Sequence, residues 1–393
     1  MTDYFPYESV SESEHTIISA EQLPSDEPLG VLEPVAYFNG AMPTGVTVSQ
    51  KGRIFVNFPK WGDEVSFTVA EVRDGKAVAY PDEAMNQTDP HDLGAAAAAG
   101  ALVSVQSVVV DPADRLWILD TASPMFQPTK YGGPKLVCVD LEMNQVIKKI
   151  LFPQNVALST TYLNDVRFDL RRGKEGIAYI TDSAQNGPNG IIVVDLASGE
   201  SWRRLNDHPS TKAEEDLRTF LPIVEGQPFL VKQQENGSTK LAVNMGSDGI
   251  AISATGEWLY YCPLASRKLY SVSTEALSDR SVDDECVSRT VKDEGDKGGA
   301  SDGLESDAED RIYVTNYEHN SIMRRNPNGE WETTVHDPRL LWPDTLSLAS
   351  DGYLYVTANQ LHRQARFHNG RDMRRKPYTL FRIKVNAKPV LLR

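Results

Sequence analysis

A strand–turn–strand unit recurs six times along the chain, and this repeat limits the fold more than any other feature. Each copy begins with a small or polar residue, continues through a short alternating strand and a turn rich in Gly or Asp, and ends in an apolar strand. Six copies over roughly 350 residues leave about 60 residues for each, which is enough for a four-stranded antiparallel sheet. The copies begin at Pro43, Val105, Leu163, Ser247, Gly299 and Pro343.

The repeat predicts an all-β protein, a six-bladed β-propeller. Helical periodicity is scarce, with residues 210–221 and 95–99 as the main candidates. A parallel sheet with crossover helices is therefore excluded. We expect residues 31–38 to pair with the last blade near residues 378–385, because this pairing closes the ring through the N- and C-terminal strands and removes the open sheet edges.

Charge and composition exclude several classes of partner. A net charge of −15 argues against nucleic acid and anionic membranes, because both need clustered Lys and Arg. Residues 1–19 lack a basic start and an apolar stretch, and the three cysteines show no metal-binding spacing, so we expect a cytoplasmic protein. We assign residues 1–30 to an N-terminal extension and residues 31–393 to a single propeller domain.

Residues 362–377 are densely basic and stand out against the acidic whole. The segment is compatible with a solvated surface loop. It is also compatible with an arm over a binding mouth that attracts an anionic ligand. The sequence leaves both interpretations open.

Residues 299–303 read Gly-Ala-Ser-Asp-Gly, the G-x-S-x-G pattern of a serine hydrolase. A nucleophile elbow needs a strand before the serine and a helix after it. Here the residues before Ser301 predict a loop and those after it predict a strand. We therefore interpret the pattern as a chance spelling and Ser301 as structural.

The repeat also predicts where a site would form. The first strand of a blade lines the central channel and the second runs back, so the start of the first and the end of the second face one mouth. The first-strand positions are Thr44, Gln106, Asn164, Asp248, Asp302 and Asp344, and the second-strand positions are Phe58, Asp120, Asp182, Pro263, Asn316 and Ala358.

Three aspartates at one narrow mouth repel one another, so they take up protons or bind a cation. Oxygen donors without His or Cys predict a hard divalent cation, Ca²⁺ ahead of Mg²⁺, and no organic cofactor. We predict Asp302 and Asp248 as catalytic residues, with His319 as a further candidate base. Any single aspartate here is equally compatible with an ordinary turn. The predicted ligand-binding residues are Phe58, Gln106, Asp120, Phe126, Asp182, Asn316, Tyr317, Asp344, Asn359 and His362.

The chain resembles the major royal jelly protein/yellow family over roughly residues 30–385. The resemblance implies a six-bladed propeller with a small-molecule pocket in its central channel. Roles in that family include nutritive or signalling proteins, binders of biogenic amines and dopachrome-converting enzymes. The resemblance rests on "FPKWGDEVSFTV" (58–69), "DRLWILD" (114–120), "KLVCVDL" and the following "FP" (135–153), "AYITDSAQNGPNGIIVVDLASGESWR" (178–203) and "DGIAISATGEWLYYCPLASRKLYSVSTEAL" (248–277).

The layout is more distantly similar to gluconolactonase-type propellers, which hold a divalent ion with a first-blade Glu, later Asn residues and an Asp. This similarity implies Asn164, Asp248 and Asp302 as metal ligands, although Asp248 stands where those proteins have an Asn and Thr44 replaces the Glu. Three functions follow as hypotheses. We prefer a metal-assisted, lactonase-like hydrolase, with an isomerase or tautomerase of an oxidised aromatic and a non-catalytic small-ligand-binding protein as alternatives.

Overall fold

The computed structural model describes residues 27–87, 94–234 and 238–393. The strands of these residues form six four-stranded antiparallel sheets and two short hairpins. The structure confirms the predicted six-bladed β-propeller. In chain order the strands are β1 (Leu32–Phe38), β2 (Val46–Val48), β3 (Ile54–Asn57), β4 (Val69–Arg73), β5 (Lys76–Ala79), β6 (Val105–Val110), β7 (Arg115–Asp120), β8 (Lys135–Asp140), β9 (Gln145–Leu151), β10 (Leu163–Asp169), β11 (Ile177–Asp182), β12 (Gly190–Asp195), β13 (Ser201–Arg204), β14 (Ile223–Val224), β15 (Gln227–Pro228), β16 (Val231–Gln234), β17 (Ser238–Leu241), β18 (Ser247–Ile252), β19 (Trp258–Pro263), β20 (Lys268–Ser273), β21 (Lys292–Asp296), β22 (Leu304–Ser306), β23 (Ile312–Asn316), β24 (Ser321–Arg325), β25 (Trp331–His336), β26 (Pro343–Leu348), β27 (Tyr353–Ala358) and β28 (Tyr378–Lys384).

Blades 1 to 5 are β2–β5, β6–β9, β10–β13, β18–β21 and β22–β25. Blade 6 consists of β26, β27, β28 and the N-terminal strand β1. β1 pairs antiparallel with β28 from Leu32 opposite Ile383 to Phe38 opposite Tyr378, so the predicted closure is confirmed.

The predicted N-terminal extension lies mostly outside the described residues. The part that is described is not free, because the Leu29 amide donates a 2.8 Å hydrogen bond to the His336 carbonyl in blade 5. Short helices occur only between strands in the described ranges, and none is long and apolar enough to cross a membrane. They are α1 (Glu83–Asn86), α2 (Ala95–Gly100), α3 (Thr274–Ser278) and α4 (Asp284–Ser288).

The core lies between neighbouring blades, where apolar side chains of facing sheets interdigitate. Trp117 of blade 2 stacks on Phe168 of blade 3 at 5.3 Å between ring centroids, and both are buried. Such packing buries the apolar surface that stabilises the ring.

Four blades carry an irregular register where the first strand begins at the axis. A bulge inserts an extra residue, so successive side chains there do not alternate strictly between the two faces of the sheet. The shifts lie between Val105 and Ser107, Leu163 and Val166, Ser247 and Ile250, and Pro343 and Leu346.

Two long connections cover the mouth at which the first strands begin, and we call them the roof; in the described part of the chain they comprise residues 209–234 with 238–245, and residues 359–377. The predicted helix at 210–221 is wrong, because only a single 3-10 turn forms, at Pro209–Thr211. The chain from residue 385 onward crosses the opposite face, where the Leu170 amide donates to the Leu392 carbonyl at 2.9 Å.

Candidate functional site

Asp248, Asp302 and Asp344 meet beneath the roof, and we call them the aspartate cluster. Each sits where the first strand of its blade begins, and each is buried. The side chains of Asp248 and Asp302 hydrogen-bond to each other, and the charges of Asp302 and Asp344 interact. The structure therefore brings together the three carboxyl groups on which the sequence argument depends.

The cluster holds protons at a pH at which exposed aspartates are ionised. Burial raises the pKa of Asp302 to about 6, partly offset by hydrogen bonds. Burial, and then the charges of Asp302 and Asp344, raise the pKa of Asp248 well above its usual range. Because two hydrogen-bonded carboxyl groups cannot both ionise cheaply, ionisation of either of Asp248 and Asp302 disfavours ionisation of the other.

Neighbouring donors fix the orientation of the carboxyl groups. The Trp342 indole N–H donates to Asp302 Oδ2 at 2.6 Å. The Asn359 amide donates to Asp344 Oδ2 at 2.6 Å, and the Thr345 hydroxyl donates to Asp344 Oδ1 at 3.0 Å. A hydrogen bond to a carboxylate favours its charged form, so these contacts oppose the effect of burial.

Asp165 and Arg167 lie next to the cluster, and neither was predicted from the sequence. Arg167 is buried and pairs with Asp165 at 2.8 Å, and Asp165 also accepts a 2.6 Å hydrogen bond from the Ser107 hydroxyl. The charge of Asp165 contributes to the raised pKa of Asp302 and of Asp344. The bulge in β10 explains why, because strict alternation along a strand gives the wrong sheet face for the side chains of Asn164 and Asp165.

Three aromatic side chains, Trp61, Phe126 and Tyr162, form what we call the aromatic wall of the mouth. Trp61 stacks on Phe126 at 5.2 Å, and Phe126 lies 4.9 Å from Tyr162. The Tyr162 hydroxyl accepts from the Trp61 N–H at 2.8 Å and donates to Gln106 Oε1 at 2.9 Å. Burial, together with the charges of Asp248 and Asp344, raises the pKa of the Tyr162 hydroxyl.

A cavity of about 190 Å³ opens beside the wall. Phe126 and Tyr162 form part of its lining, together with polar side chains from the loops of blades 2 and 3. A cavity of about 150 Å³ is large enough to hold benzene. The space therefore suits one aromatic ring. The other lining residues are Ser123, Gln127, Pro128, Ser159, Thr160, Gln185 and Asn186.

The roof packs directly onto the residues that orient the cluster. Phe229 lies 4.9 Å from Trp342 and 4.4 Å from Phe367, so both roof segments meet over the Trp342 ring. Glu225 at the β14–β15 turn binds His362 Nε2 at 2.7 Å, which ties one roof segment to the other.

The predicted Ca²⁺ site does not fit this arrangement. Ca²⁺ takes about six to eight oxygen ligands. Asp302 is bonded to Trp342 and Asp248, and the Asn164 amide donates to the Ser183 hydroxyl at 2.9 Å. Within the described ranges, no three His, Cys, Asp or Glu side chains are arranged to hold an ion. The predicted ligand set of Asn164, Asp248 and Asp302 therefore gains no support from the geometry.

Asp120 and Asp182 were predicted to face the mouth, and the structure corrects both. Asp120 forms a fully buried ion pair with Lys135 at 2.7 Å and accepts from three backbone amides. Asp182 pairs with Arg203 at 2.8 Å and accepts hydrogen bonds from Thr161 and two backbone amides. Both carboxylates are saturated by their own blades, so they hold loops in place instead of meeting a ligand.

His319 was predicted as a candidate base, and this role stays a prediction. Its side chain is exposed in the β23–β24 turn, whereas Asp302 is buried. Ser301 is buried between a loop and β22, as the structural interpretation requires.

The remaining predicted ligand-binding residues lie in the packed interior around the mouth. Asn316 donates to the Gly298 carbonyl at 3.2 Å. The Tyr317 hydroxyl donates to the Leu264 carbonyl at 2.8 Å, and the Tyr317 ring stacks on Trp342 at 4.0 Å. Phe58 lines a separate cavity of about 250 Å³ near β1. These contacts are structural, so ligand contact by these residues stays a prediction.

Comparison with known proteins agrees with this architecture. The family model described as major royal jelly protein matches residues 103–389 of the chain. The chain belongs to the major royal jelly protein family. The resemblance to this family inferred from the strand motifs is therefore confirmed.

Curated relatives of this family member match only part of its length. Major royal jelly protein 7 of Apis mellifera is 32% identical over 179 residues, which are 44% of this chain and 36% of the relative. Protein yellow of Drosophila erecta is 26% identical over 243 residues, which are 61% of this chain and 42% of the relative. The chain thus spans about two fifths or less of the relatives' length.

Solved structures share the propeller at low identity. A luciferin-regenerating enzyme has a TM-score of 0.54 at 10% identity, covering 92% of this chain and 97% of that one. The calcium-binding protein regucalcin from Agrobacterium tumefaciens has a TM-score of 0.52 at 13% identity, covering 93% and 99%. At this identity the likeness shows the fold alone.

Proposed function

We propose that this member of the major royal jelly protein family is a small-molecule enzyme that transfers protons through Asp248 and Asp302, with isomerisation of a conjugated aromatic compound as its reaction. The observation that carries the proposal is the buried pair of carboxyl groups, Asp248 and Asp302, whose side chains hydrogen-bond to each other. A pair of this kind contains an acid and a base side by side near neutral pH.

The reaction is a keto–enol type of interconversion. The ionised carboxylate removes a proton from a carbon next to a carbonyl, which breaks the C–H bond. The protonated carboxyl group gives its proton to the carbonyl oxygen, which forms an O–H bond. The pair ends with the same number of protons as it had at the start, and the reaction needs no oxidant or metal.

The roof explains how such a site excludes water. Phe229 and Trp342 pack above the carboxyl groups, so the pair lies in a medium of low dielectric constant. Charge rearrangement in such a medium is stabilised by fixed dipoles, here the Trp342 N–H on Asp302.

A tautomerase assay tests the proposal. Phenylpyruvate is incubated in D₂O, and deuterium incorporation next to its carbonyl is followed by NMR, with and without EDTA. We expect EDTA-insensitive exchange that falls roughly 100-fold or more in Asp302→Asn, because general acid–base catalysis contributes about 10²–10⁴-fold. The matched control is Asp74→Asn, which removes an exposed carboxylate from the β4–β5 turn.

The same protein is assayed against glucono-δ-lactone and a γ-lactone, with added Ca²⁺ and with EDTA. If the protein hydrolyses a lactone and this activity requires Ca²⁺, the proposed isomerase function is wrong and the protein is a metal-assisted hydrolase. Tight binding of the aromatic probe without exchange or product replaces the proposal with a binding role.

A further inference from the structure

Arg366 is a partly buried cation without a counter-ion, whereas Arg363 and Arg374 on the same segment are ion-paired. Arg363 binds Glu225 at 2.5 Å, and Arg374 binds Asp63 and Asp372, each at 2.7 Å. Within the described part of the chain, no carboxylate lies at ion-pair distance from Arg366, and its Nε is buried without a hydrogen-bond partner. A buried, unpaired donor of this kind destabilises the fold unless a ligand completes it.

The position of Arg366 directs its guanidinium to the aromatic wall. Its Cζ lies 5.0 Å from the centre of the Phe126 ring and 4.7 Å from that of Phe367. These cation–π contacts hold the group in place but leave its Nε–H donor without an acceptor. The charge of Arg366 also lowers the pKa of the Tyr162 hydroxyl, whereas the charge of Asp248 raises it.

Burial lowers the pKa of Arg366 to about 10, so the group is still charged at neutral pH. The side chain therefore places a cation and an unpartnered Nε–H donor beside the Phe126 ring, which lines the cavity. Guanidinium groups bind carboxylates through paired N–H donors.

We propose that the mouth binds an aromatic carboxylate, with the carboxylate on Arg366 and the ring against Phe126 and Tyr162. This inference names a substrate class for the proposed function and rests on it for the choice of site. The cavity of about 190 Å³ lined by Phe126 and Tyr162 limits the ligand to one ring with small substituents. Under this proposal, residues 362–377 act as the basic arm over a binding mouth and not only as a solvated surface loop.

Binding is measured by isothermal titration calorimetry at pH 7.5 with 4-hydroxybenzoate, 4-hydroxybenzamide and acetate. The amide keeps the ring and removes the charge, whereas acetate keeps the charge and removes the ring. We expect wild-type protein to bind 4-hydroxybenzoate roughly 10- to 100-fold more tightly than the amide, as expected for hydrogen bonds to a charged group. Acetate is expected to bind more weakly than 4-hydroxybenzoate.

Variants assign the preference to one side chain. Arg366→Gln is expected to abolish the preference for the carboxylate, and Arg366→Lys to retain part of it, because one ammonium cannot replace a pair of parallel donors. The matched control is Arg371→Gln, which removes an exposed charge from the same segment and is expected to leave the preference unchanged.

Equal affinities of the wild type for the acid and the amide, or no binding of 4-hydroxybenzoate, overturn the inference. So does a preference that survives in Arg366→Gln, or acetate binding as tight as that of 4-hydroxybenzoate. If circular dichroism shows that Arg366→Gln is misfolded, the inference is tested instead by the affinity ratio of the acid to the amide in the wild type and in Arg366→Lys. A carboxylate preference without proton exchange in the NMR assay overturns only the proposed function, and exchange without the preference overturns only this inference.

Discussion

Replacing Asp302 by Asn tests the aspartate cluster while leaving the volume of the buried side chain almost unchanged. The pKa of Asp302 is raised from 3.8 to about 6, chiefly because burial disfavours the charged form. As the pH rises, a carboxyl group with a raised pKa in the native state stays protonated to a higher pH than it does in the unfolded state. The native protein therefore loses stability as the pH rises from about 4 to above 6, and below 4 this loss is absent.

The size of the effect follows from the shift. Each pKa unit corresponds to about 1.36 kcal/mol, so ionisation of Asp302 lowers the free energy of unfolding by on the order of 3 kcal/mol once the pH exceeds 6. The asparagine side chain of the variant has no such ionisation, and its amide oxygen accepts a hydrogen bond from the protonated Asp248 carboxyl group, whose pKa is raised well above its usual range. The stability of the variant relative to wild type is therefore expected to increase by on the order of 3 kcal/mol between pH 4 and pH 7.

The assay is urea unfolding followed by tryptophan fluorescence at half-unit pH steps from 4 to 8. The control variant is Asp74→Asn, whose carboxylate is exposed. Its difference from wild type is expected to stay flat across the range. The reasoning is refuted if the Asp302→Asn curve runs parallel to wild type, because the carboxyl pair would then not hold an extra proton in the native state.

Two further predictions concern the groups around the cluster. Trp342→Phe removes the N–H that stabilises ionised Asp302, so the acidic limb of the pH–rate profile of the exchange assay is expected to move up by about 0.5–1 unit; an unmoved limb contradicts this role. Glu225→Gln weakens the tie to His362, whose hydrogen bond is the main cause of the lowered pKa of Glu225. The stabilisation from the Glu225–His362 contact is present above the ordinary carboxyl pKa and is lost as the pH falls. Trypsin at pH 8 is therefore expected to cleave residues 209–245 about two- to five-fold faster in the variant. Equal cleavage rates would show that this contact does not stabilise the roof.

Much of the fold was accessible from the sequence, because a propeller repeats its local pattern. The six strand pairs share a turn and an apolar pair, so their number and spacing predict the number of blades. The pairing of residues 31–38 with β28 followed from the need to cover a sheet edge. The helix predicted over residues 210–221 is absent, and the apolar side chains there do not share one buried face, since Phe220 is buried and Leu217 is exposed.

The convergence of Asp248, Asp302 and Asp344 was also predictable, since the start of every first strand faces the axis. Asp120 was predicted to bind a ligand at the mouth, and the sequence itself contains the reason why it does not. Lys135 pairs directly opposite Asp120 in the next strand, and a complementary charge at that position indicates an ion pair within the blade.

Phe126 was predicted as a ligand-binding residue, but its contacts with Trp61 and Tyr162 and the position of Arg366 beside it could not be predicted from the repeat. Trp61, Phe126 and Arg366 lie on loops that follow no repeat, so their positions depend on how separate loops pack together. Asp165 was missed for a different reason, because a bulge changes the facing of side chains without altering the residue pattern.

Blade 6 combines the strand nearest the N-terminus with three strands from the last quarter of the chain. During synthesis on the ribosome, β1 emerges long before β28 exists, so it waits without its partner while the intervening blades fold. An exposed strand in that interval is prone to pair with other nascent chains. Completion of the ring is therefore a late step, and the aspartate cluster, which draws on blades 4, 5 and 6, assembles only as the last sheet is made.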